Sequence, residues 1–357
     1  MQAFIVNKRS RDEQEKRVQS QKTSSDTGTD YPDYSKDRDV DIDRTPKEEK
    51  MHKFSAKLDS LDCWKCPEDQ WPNERHDACI PKVIEFLTYE EPLGTTLSAA
   101  ALFMTLLNAS VLGIFIKHRD TPIVKANNRE LSYLLLLGLM LCFLCALIFI
   151  GNPTSVTCIL RQTIFGIIFS ISVSLVLAKT IIVVIAFKAA RPDSKLQRLL
   201  APAVPKLVVC ISSTGQCIIC AVWMLCNPPF VEYNTKYSDG KIIIQCNEHN
   251  VAFFYCMLGY LGGLAIVCFV VAFLVRNLPD TFNEGKFITF SMLMFVSVWL
   301  SFIPAYLSTQ GKYMVAVEIF AILASSAGLL CCIFLPKCYI ILLQPHKNTR
   351  KHLIGTV

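Results

Sequence analysis

The chain has 357 residues, of which 52% are hydrophobic and only 18% charged, and its formal net charge is +6. Soluble domains rarely have this composition, and the apolar residues lie in long runs, which indicates a protein with several membrane spans. The basic residues lie in short loops between these runs and form no zinc-finger or basic-helix pattern, so we expect no nucleic-acid partner.

The N-terminal quarter contains two different segments. Residues 1–62 are rich in Lys, Arg, Asp, Glu, Ser and Thr without apolar periodicity, and we expect them to be disordered. Residues 63–93 contain Cys63, Cys66, Cys79 and several prolines, which is typical of a small extracellular segment held by disulfides. Three cysteines cannot all pair with one another, so at least one needs a partner elsewhere. Zinc binding is less favoured, because no fourth ligand has a familiar spacing.

Seven apolar runs follow, each close to the roughly 20 residues that a membrane-spanning helix needs. They cover residues 95–116, 131–150, 160–187, 207–226, 251–275, 287–307 and 314–335. The pattern predicts an all-α membrane protein, a seven-transmembrane helix bundle at residues 94–345 with a short tail at residues 346–357.

The loop charges predict the orientation of the bundle. Among the segments that connect or follow the seven runs, the first, third and fifth connections and the tail carry most of the lysines and arginines. The alternate loops carry only Arg161, Lys236, Lys241 and Lys312. By the positive-inside rule, the N-terminus lies outside and the C-terminus and its tail lie in the cytoplasm.

Two cysteines are expected to form a disulfide outside the membrane. Cys158 lies at the outer start of the third run, and Cys246 lies in the longest outer loop, Asn227–Asn250. That environment is oxidising. We therefore predict a bridge that holds this loop over the mouth of the bundle.

Lys179 lies deep in the third run, about two turns from its cytoplasmic end. One interpretation is snorkelling, in which the ammonium reaches the membrane interface. The other is a pair with an acid, because charges inside a membrane are usually paired. Glu284, just before the sixth run, lies at a matching depth, and Asp280 is the alternative. The residues alone favour neither interpretation.

Three residues near the outer half of the bundle form a candidate transmembrane pocket: Trp299, Tyr306 and Glu318. Glu318 can be an interfacial carboxylate in water or a polar anchor in a cavity. Trp299 can be a packing residue, a ligand contact or both. The sequence contains no metalloprotease, nucleophile-elbow or Walker motif, so we expect neither an enzyme nor a cofactor.

Several stretches of the sequence resemble class C G-protein-coupled receptors. They are Pro122–Leu136, Leu278–Leu293, Trp299–Tyr306 and Pro336–Asn348. Two further stretches, Cys63–Lys82 and Tyr89–Gly94, are similar to vomeronasal type-2 and fish olfactory class C receptors. The calcium-sensing receptor is a related member, and the resemblance covers residues 63–348.

The resemblance implies a role for each singled-out residue. Cys158 and Cys246 match the bridge between helix three and the second outer loop, and Lys179 and Glu284 match an ionic lock between helices three and six. Trp299 and Glu318 match positions that line an allosteric pocket, where a small-molecule modulator could bind. Residues expected on the face that contacts the G protein are Arg191, Lys195, Arg198, Asn283 and Lys286. Residues that match the end of a cysteine-rich linker are Cys63, Cys66 and Cys79.

The implied function is chemosensory. Such a receptor lies in the plasma membrane, detects pheromones, odorants or amino-acid-type ligands, and activates a heterotrimeric G protein by switching the helix bundle. It can dimerise with class C receptors. Family members also carry a Venus-flytrap domain and a full cysteine-rich domain, which this sequence lacks, so we expect an N-terminally truncated receptor. Alternatives are a non-signalling fragment that assembles with relatives and, less favoured, a transporter or channel.

Overall fold

The computed structural model describes residues 66–75, 78–189, 203–235, 240–276 and 284–345, without the side chains of residues 186–189 and 284. Several predictions therefore lie outside the described residues. These are the disorder of residues 1–62, the tail at residues 346–357, and the positions of Cys63, Arg191, Lys195, Arg198 and Asn283.

Within the described residues the chain forms eight helices. They are α1 (Pro92–Lys117), α2 (Pro122–Ala126), α3 (Arg129–Ile148), α4 (Ser155–Ala189), α5 (Ala203–Cys226), α6 (Val251–Val275), α7 (Glu284–Ser308) and α8 (Lys312–Leu343). All except the five-residue α2 are long and apolar enough to cross a membrane. The prediction of a seven-helix transmembrane bundle is confirmed.

The helix ends differ from the predicted runs where a helix continues past its apolar segment. Helix α4 begins at Ser155 and ends at Ala189, beyond both ends of the predicted run at residues 160–187. Helix α8 continues through Pro336 to Leu343, whereas the predicted run ends at residue 335. Buried Lys337 and Cys338 show that this extension still packs against the protein. Hydropathy reports the membrane-embedded part of a helix, not its hydrogen-bonded length.

Helix α4 is the central helix of the bundle and packs against α3, α5, α6 and α7. Small residues allow close contacts: a methyl group added to Gly138 of α3 would lie 2.9 Å from the Ser172 hydroxyl of α4. Ser170 donates a hydrogen bond to the Ser212 carbonyl of α5. Small and hydroxyl side chains favour helix association in lipid, where apolar burial alone gives little driving force.

Two small sheets cover the end of the bundle at which α4 begins. Strands β1 (Gln70–Pro72) and β2 (Cys79–Pro81) form an antiparallel pair. The other sheet has the order β3-β5-β4 and contains β3 (Val83–Glu85), β4 (Phe230–Asn234) and β5 (Lys241–Asn247). Strand β3 runs parallel to β5, with Val83 opposite Lys241, and β4 runs antiparallel to β5. The segment before the bundle therefore forms a sheet with the loop between α5 and α6.

The turn between β3 and α1 holds this segment tightly on the bundle. A Cβ atom added to Gly94, in the first turn of α1, would overlap the Thr88 carbonyl oxygen. The Tyr89 hydroxyl donates a 2.7 Å hydrogen bond to the Leu147 carbonyl near the end of α3. The Thr95 hydroxyl donates to the Tyr89 carbonyl. The chain entering α1 is thus fixed to two helices at once.

Candidate functional site

The predicted disulfide is present, and it defines one end of the bundle. Cys158, in the first turn of α4, is bonded to Cys246, near the end of β5. We call this the disulfide end. A second disulfide joins Cys66 to Cys79 in the segment before the bundle. Hence two of the three N-terminal cysteines pair with each other, and the third, Cys63, lies outside the described residues.

A narrow cavity lies inside the bundle on the side of the disulfide end. Its interior volume is about 10 Å³, room for about one water molecule. It is lined by Phe149, Gln162, Phe165, Phe254, Leu258, Trp299, Phe302, Glu318 and Ile322. The structure thus brings Trp299 and Glu318 together at one cavity. Its lining is mostly apolar with two polar groups, as in small-molecule sites, but its volume is far smaller than theirs.

Trp299 stands at the centre of a row of aromatic rings. Its ring lies 5.5 Å from Phe165 and 5.9 Å from Phe169 of α4, measured between centroids. On α7 it lies 5.2 Å from Phe302, which is itself 5.2 Å from Tyr306. No described atom accepts a hydrogen bond from the buried Trp299 indole nitrogen. The row therefore links α4 and α7 by ring packing and offers a donor that a ligand could use.

Tyr306 connects this row to the loop that carries the disulfide. Its hydroxyl donates a 3.0 Å hydrogen bond to Oε1 of Glu248, two residues after Cys246. Burial raises the pKa of the Glu248 carboxyl above its usual value. This hydrogen bond ties the loop to α7 above the cavity.

Like Glu248, Arg161 lies at the site but was not among the predicted site residues. It was assigned to an outer loop, and that assignment is wrong: it lies in α4, one turn after Cys158, and is only 4% exposed. Its Nε donates to the Ile148 carbonyl at 3.2 Å, and its Nη1 lies 3.7 Å from the Cys246 sulfur. It fixes the disulfide to the end of α3. Sequence reasoning missed both Arg161 and Glu248. The only signal for either was its position close to a cysteine of the predicted disulfide: Arg161 follows Cys158, and Glu248 follows Cys246.

Lys179 lies in the same helix, 21 residues after Cys158 and therefore about 30 Å away. It is 4% exposed, so it does not snorkel to the interface. Its Nζ donates to the carbonyl and Oδ1 of Asn127 at 2.9 and 3.0 Å, and to the Ser132 hydroxyl at 2.8 Å. These bonds join α4 to the start of α3 at the end opposite the disulfide.

The predicted acidic partner of Lys179 begins helix α7. The backbone of Glu284 is described, but its side chain is not, so the ionic lock remains a prediction. Of the residues expected to face a G protein, only Lys286 is described, and it is exposed near the start of α7.

The segment before the bundle reaches helix α8 through one lysine. The Lys312 Nζ, at the start of α8, lies 2.8 Å from Oε1 of Glu85 and 3.1 Å from Oε1 of Glu91. Lys241 of β5 lies 3.3 Å from Oε2 of Glu85. The hydrogen bond from Lys312 is the main cause that holds the pKa of Glu85 below its usual value. The cluster joins β3, β5 and α8.

Replacing Lys312 with Gln is expected to lower the melting temperature of the detergent-solubilised chain at neutral pH but not in acid. A lowered pKa in the folded state means that Glu85 contributes stability above its unfolded pKa and loses it as the pH falls through the folded pKa. Melting curves across acidic to neutral pH measure the difference between variant and parent. Lys241→Gln is the control with the smaller loss, because Lys241 is half exposed. An equal loss at every pH would contradict this account.

Comparison with known proteins gives consistent matches over the bundle. The family model described as the 7 transmembrane sweet-taste receptor of 3 GCPR matches residues 87–337. The chain is 57% identical over 298 residues to vomeronasal type-2 receptor 26 of Mus musculus, which covers 84% of this chain and 35% of the relative. It is 48% identical over 306 residues to the extracellular calcium-sensing receptor of Homo sapiens, which covers 81% of this chain and 28% of that receptor.

The chain thus spans about a third of the length of these curated relatives. The part that the family model matches includes all seven long helices except the end of α8, together with the disulfide, the cavity and Lys179. The matched family and relatives are receptors. The chain therefore belongs to the class C (family 3) G-protein-coupled receptors, a family of multi-pass proteins of the plasma membrane.

Proposed function

We propose that this chain is the signalling core of a chemosensory class C receptor, and that it activates a heterotrimeric G protein by conformational switching. The observation that carries the proposal is the pairing of two sites on helix α4. A cavity under the disulfide loop lies at one end, and the buried Lys179 network lies at the other. A rigid helix with two alternative packings can couple such sites.

The proposed orientation places the disulfide end outside the cell. Its support is chemical: disulfides persist in oxidising compartments. The basic residues of the α1–α3 connection lie at the opposite end, as the positive-inside rule requires of a cytoplasmic face. In this orientation Lys286 and the start of α7 face the G protein.

The ligand-binding part of the proposal assigns Trp299, Tyr306 and Glu318 to a modulator pocket. Its support is that Trp299 and Glu318 line one cavity, and that Tyr306 lies next to it and holds the loop through Glu248. Because the cavity is narrow, a modulator of more than a few atoms has to displace aromatic rings. Because several of these rings belong to α7, we propose that ligand binding displaces α7.

The proposal is tested by nucleotide exchange with purified components. The full chain is placed in lipid nanodiscs with a heterotrimeric G protein, and the rate of GTP-analogue binding is measured. We expect the chain to accelerate exchange above the rate of the G protein alone. Lys286→Glu is expected to lower this rate by weakening the G-protein contact. Arg75→Glu, an exposed charge of the segment before the bundle, is the matched control and should leave the rate unchanged.

Three outcomes would contradict the proposal. No acceleration, together with co-purification of a full-length class C relative, would identify a partner subunit that does not signal. Transport of a solute into proteoliposomes without any G protein would identify a transporter or channel. Equal rates of GTP-analogue binding for Lys286→Glu and Arg75→Glu would show that the start of α7 does not contact the G protein.

A further inference from the structure

The connection between α1 and α3 carries an unusual set of charges. We call residues 118–128, together with Arg129 at the start of α3, the α1–α3 loop. Oδ1 of Asp120 lies 3.5 Å from Lys125 Nζ and 4.0 Å from Arg129 Nη1, and Oδ2 lies 3.7 Å from Arg119 Nε. Three cations thus meet at one carboxylate. Among the described side chains, these three cations have one carboxylate between them, which leaves a surplus of two positive charges around Asp120.

The loop that displays these charges is fixed in place. Ile123 and Val124 of the short helix α2 are at most 1% exposed and anchor the loop in the core. The Thr121 hydroxyl donates a 2.7 Å hydrogen bond to the His118 carbonyl. Asn127 accepts two hydrogen bonds from Lys179. The cations are therefore presented from an ordered segment, which lowers the entropy cost of binding an anion.

The loop lies at the boundary of the membrane. Helix α1 ends at Lys117 and α3 begins at Arg129, so the loop directly adjoins two spans. The side chains of Arg119, Lys125 and Arg129 are 47 to 68% exposed. At this depth the phosphate groups of the lipid headgroups are the nearest abundant anions.

The neighbouring acid does not cancel the surplus charge. Glu130, next to Arg129, lies 3.6 Å from the Lys206 ammonium at the start of α5. It therefore has a cation of its own from another helix. Ion pairs as exposed as those of Asp120 contribute little to stability, so another anion can replace them at small cost.

We propose that the α1–α3 loop binds the phosphate headgroup of an anionic phospholipid, with Arg119, Lys125 and Arg129 as the binding cations and Asp120 as the internal competitor. Arginine suits this role because its guanidinium forms paired hydrogen bonds to phosphate oxygens. Because Asn127 of the same loop accepts hydrogen bonds from Lys179, an anchored loop also fixes one side of that buried network. The proposal concerns lipid binding only and does not depend on G-protein activation.

The test measures lipid binding to the full chain purified in detergent. Native mass spectrometry with added phosphatidylserine or phosphatidylcholine gives the relative affinity for each lipid. We expect preferential binding of phosphatidylserine, weakened by added salt because the interaction is between exposed charges. Lys125→Gln and Arg119→Gln should each lower the phosphatidylserine affinity about fivefold. This factor corresponds to about 1 kcal/mol for each basic residue at a membrane surface.

The decisive variant is Asp120→Asn. Removing the competing carboxylate frees the three cations and should raise the phosphatidylserine affinity by a similar factor, about fivefold. Arg75→Gln, which removes one exposed positive charge at the disulfide end, should leave the affinity unchanged. Melting curves of all variants establish that the fold is intact. Because the four side chains are exposed, we expect no loss of folding.

Several results would overturn the proposal. Equal binding of phosphatidylserine and phosphatidylcholine would show that the loop does not select an anionic headgroup. A loss of affinity in Asp120→Asn would show that this carboxylate is part of the site and not its competitor. Displacement of phosphatidylserine by inorganic phosphate at similar concentration would assign the cluster to a free anion instead of a lipid.

Discussion

Replacing Lys179 with Glu is expected to raise the basal rate of G-protein nucleotide exchange strongly. The Lys179 ammonium donates three hydrogen bonds to Asn127 and Ser132, and a carboxylate at that position has no proton to donate. The introduced carboxylate would lie next to the Asn127 carbonyl oxygen, and neither acceptor could donate a hydrogen bond to the other. Breaking a buried charged contact costs about 3 to 5 kcal/mol, so the packing of α4 against the start of α3 is lost and the alternative packing gains population.

The size of the effect follows from the same energy. A loss of about 3 kcal/mol changes the ratio of the alternative packing to the original packing about a hundredfold. Lys179→Met is the matched variant, because it keeps most of the side-chain volume and loses the hydrogen bonds without adding a negative charge. We expect it to raise basal exchange less than Lys179→Glu. Both rates are measured in nanodiscs at equal receptor concentration, with melting curves to establish folding.

The predicted partner on α7 is tested by the double variant. If Glu284 pairs with Lys179, then Lys179→Glu with Glu284→Lys should partly restore the low basal rate. Strictly additive effects in the double-mutant cycle would rule out a direct pair. Unchanged basal exchange in a folded Lys179→Glu receptor would show that the network holds structure without controlling the switch.

Loss of the disulfide at the mouth of the bundle is expected to have the largest effect on stability. Cys246→Ser opens a covalent loop of 88 residues, which corresponds to about 4.6 kcal/mol of stabilisation in the chain-entropy account. The melting temperature in detergent should fall sharply, and surface expression should fall with it. The Arg161 contact with the Cys246 sulfur is lost at the same time, so the end of α3 loses a support.

The matched control for this variant is Cys256→Ser. Cys256 is an exposed free cysteine in α6 near the same end of the bundle. Its replacement should change the melting temperature little. Labelling with a thiol reagent under denaturing conditions should detect one additional thiol, that of Cys158, in Cys246→Ser. A melting temperature equal to that of the parent chain, with this thiol detected, would show that the loop is held by its strand pairing alone.

The sequence predicted the features that depend on composition and on position along the chain. Seven long apolar runs can satisfy their backbone hydrogen bonds in a membrane only as helices, and those helices are present. Cys158 and Cys246 were identified because the alternation of loops placed both on one side. The ends of α4 and α8 were missed, because a helix can continue into the interface after its apolar run has ended.

The remaining features depend on contacts between distant parts of the chain. Nothing in the three residues of β3 indicates that they pair in parallel with β5, more than 150 positions later. Similarly, Asn127 and Ser132 gave no sign that they accept hydrogen bonds from Lys179. Glu248 resembles any polar loop residue until its distance to Tyr306 is known. Such pairings arise from the packing of the helices, so local pattern cannot reveal them.

The parallel register of β3 and β5 has a mechanical consequence. The upstream chain enters β3 at Val83, whereas β5 is held at its far end, where Cys246 is bonded to Cys158. Tension from the upstream chain therefore slides the two strands along each other instead of peeling them apart. In this shear geometry the ladder hydrogen bonds carry the load together and do not break one after another. A pull on the N-terminal segment therefore loads the covalent connection to α1 and the β3–β5 joint together, and in this geometry the joint resists rupture.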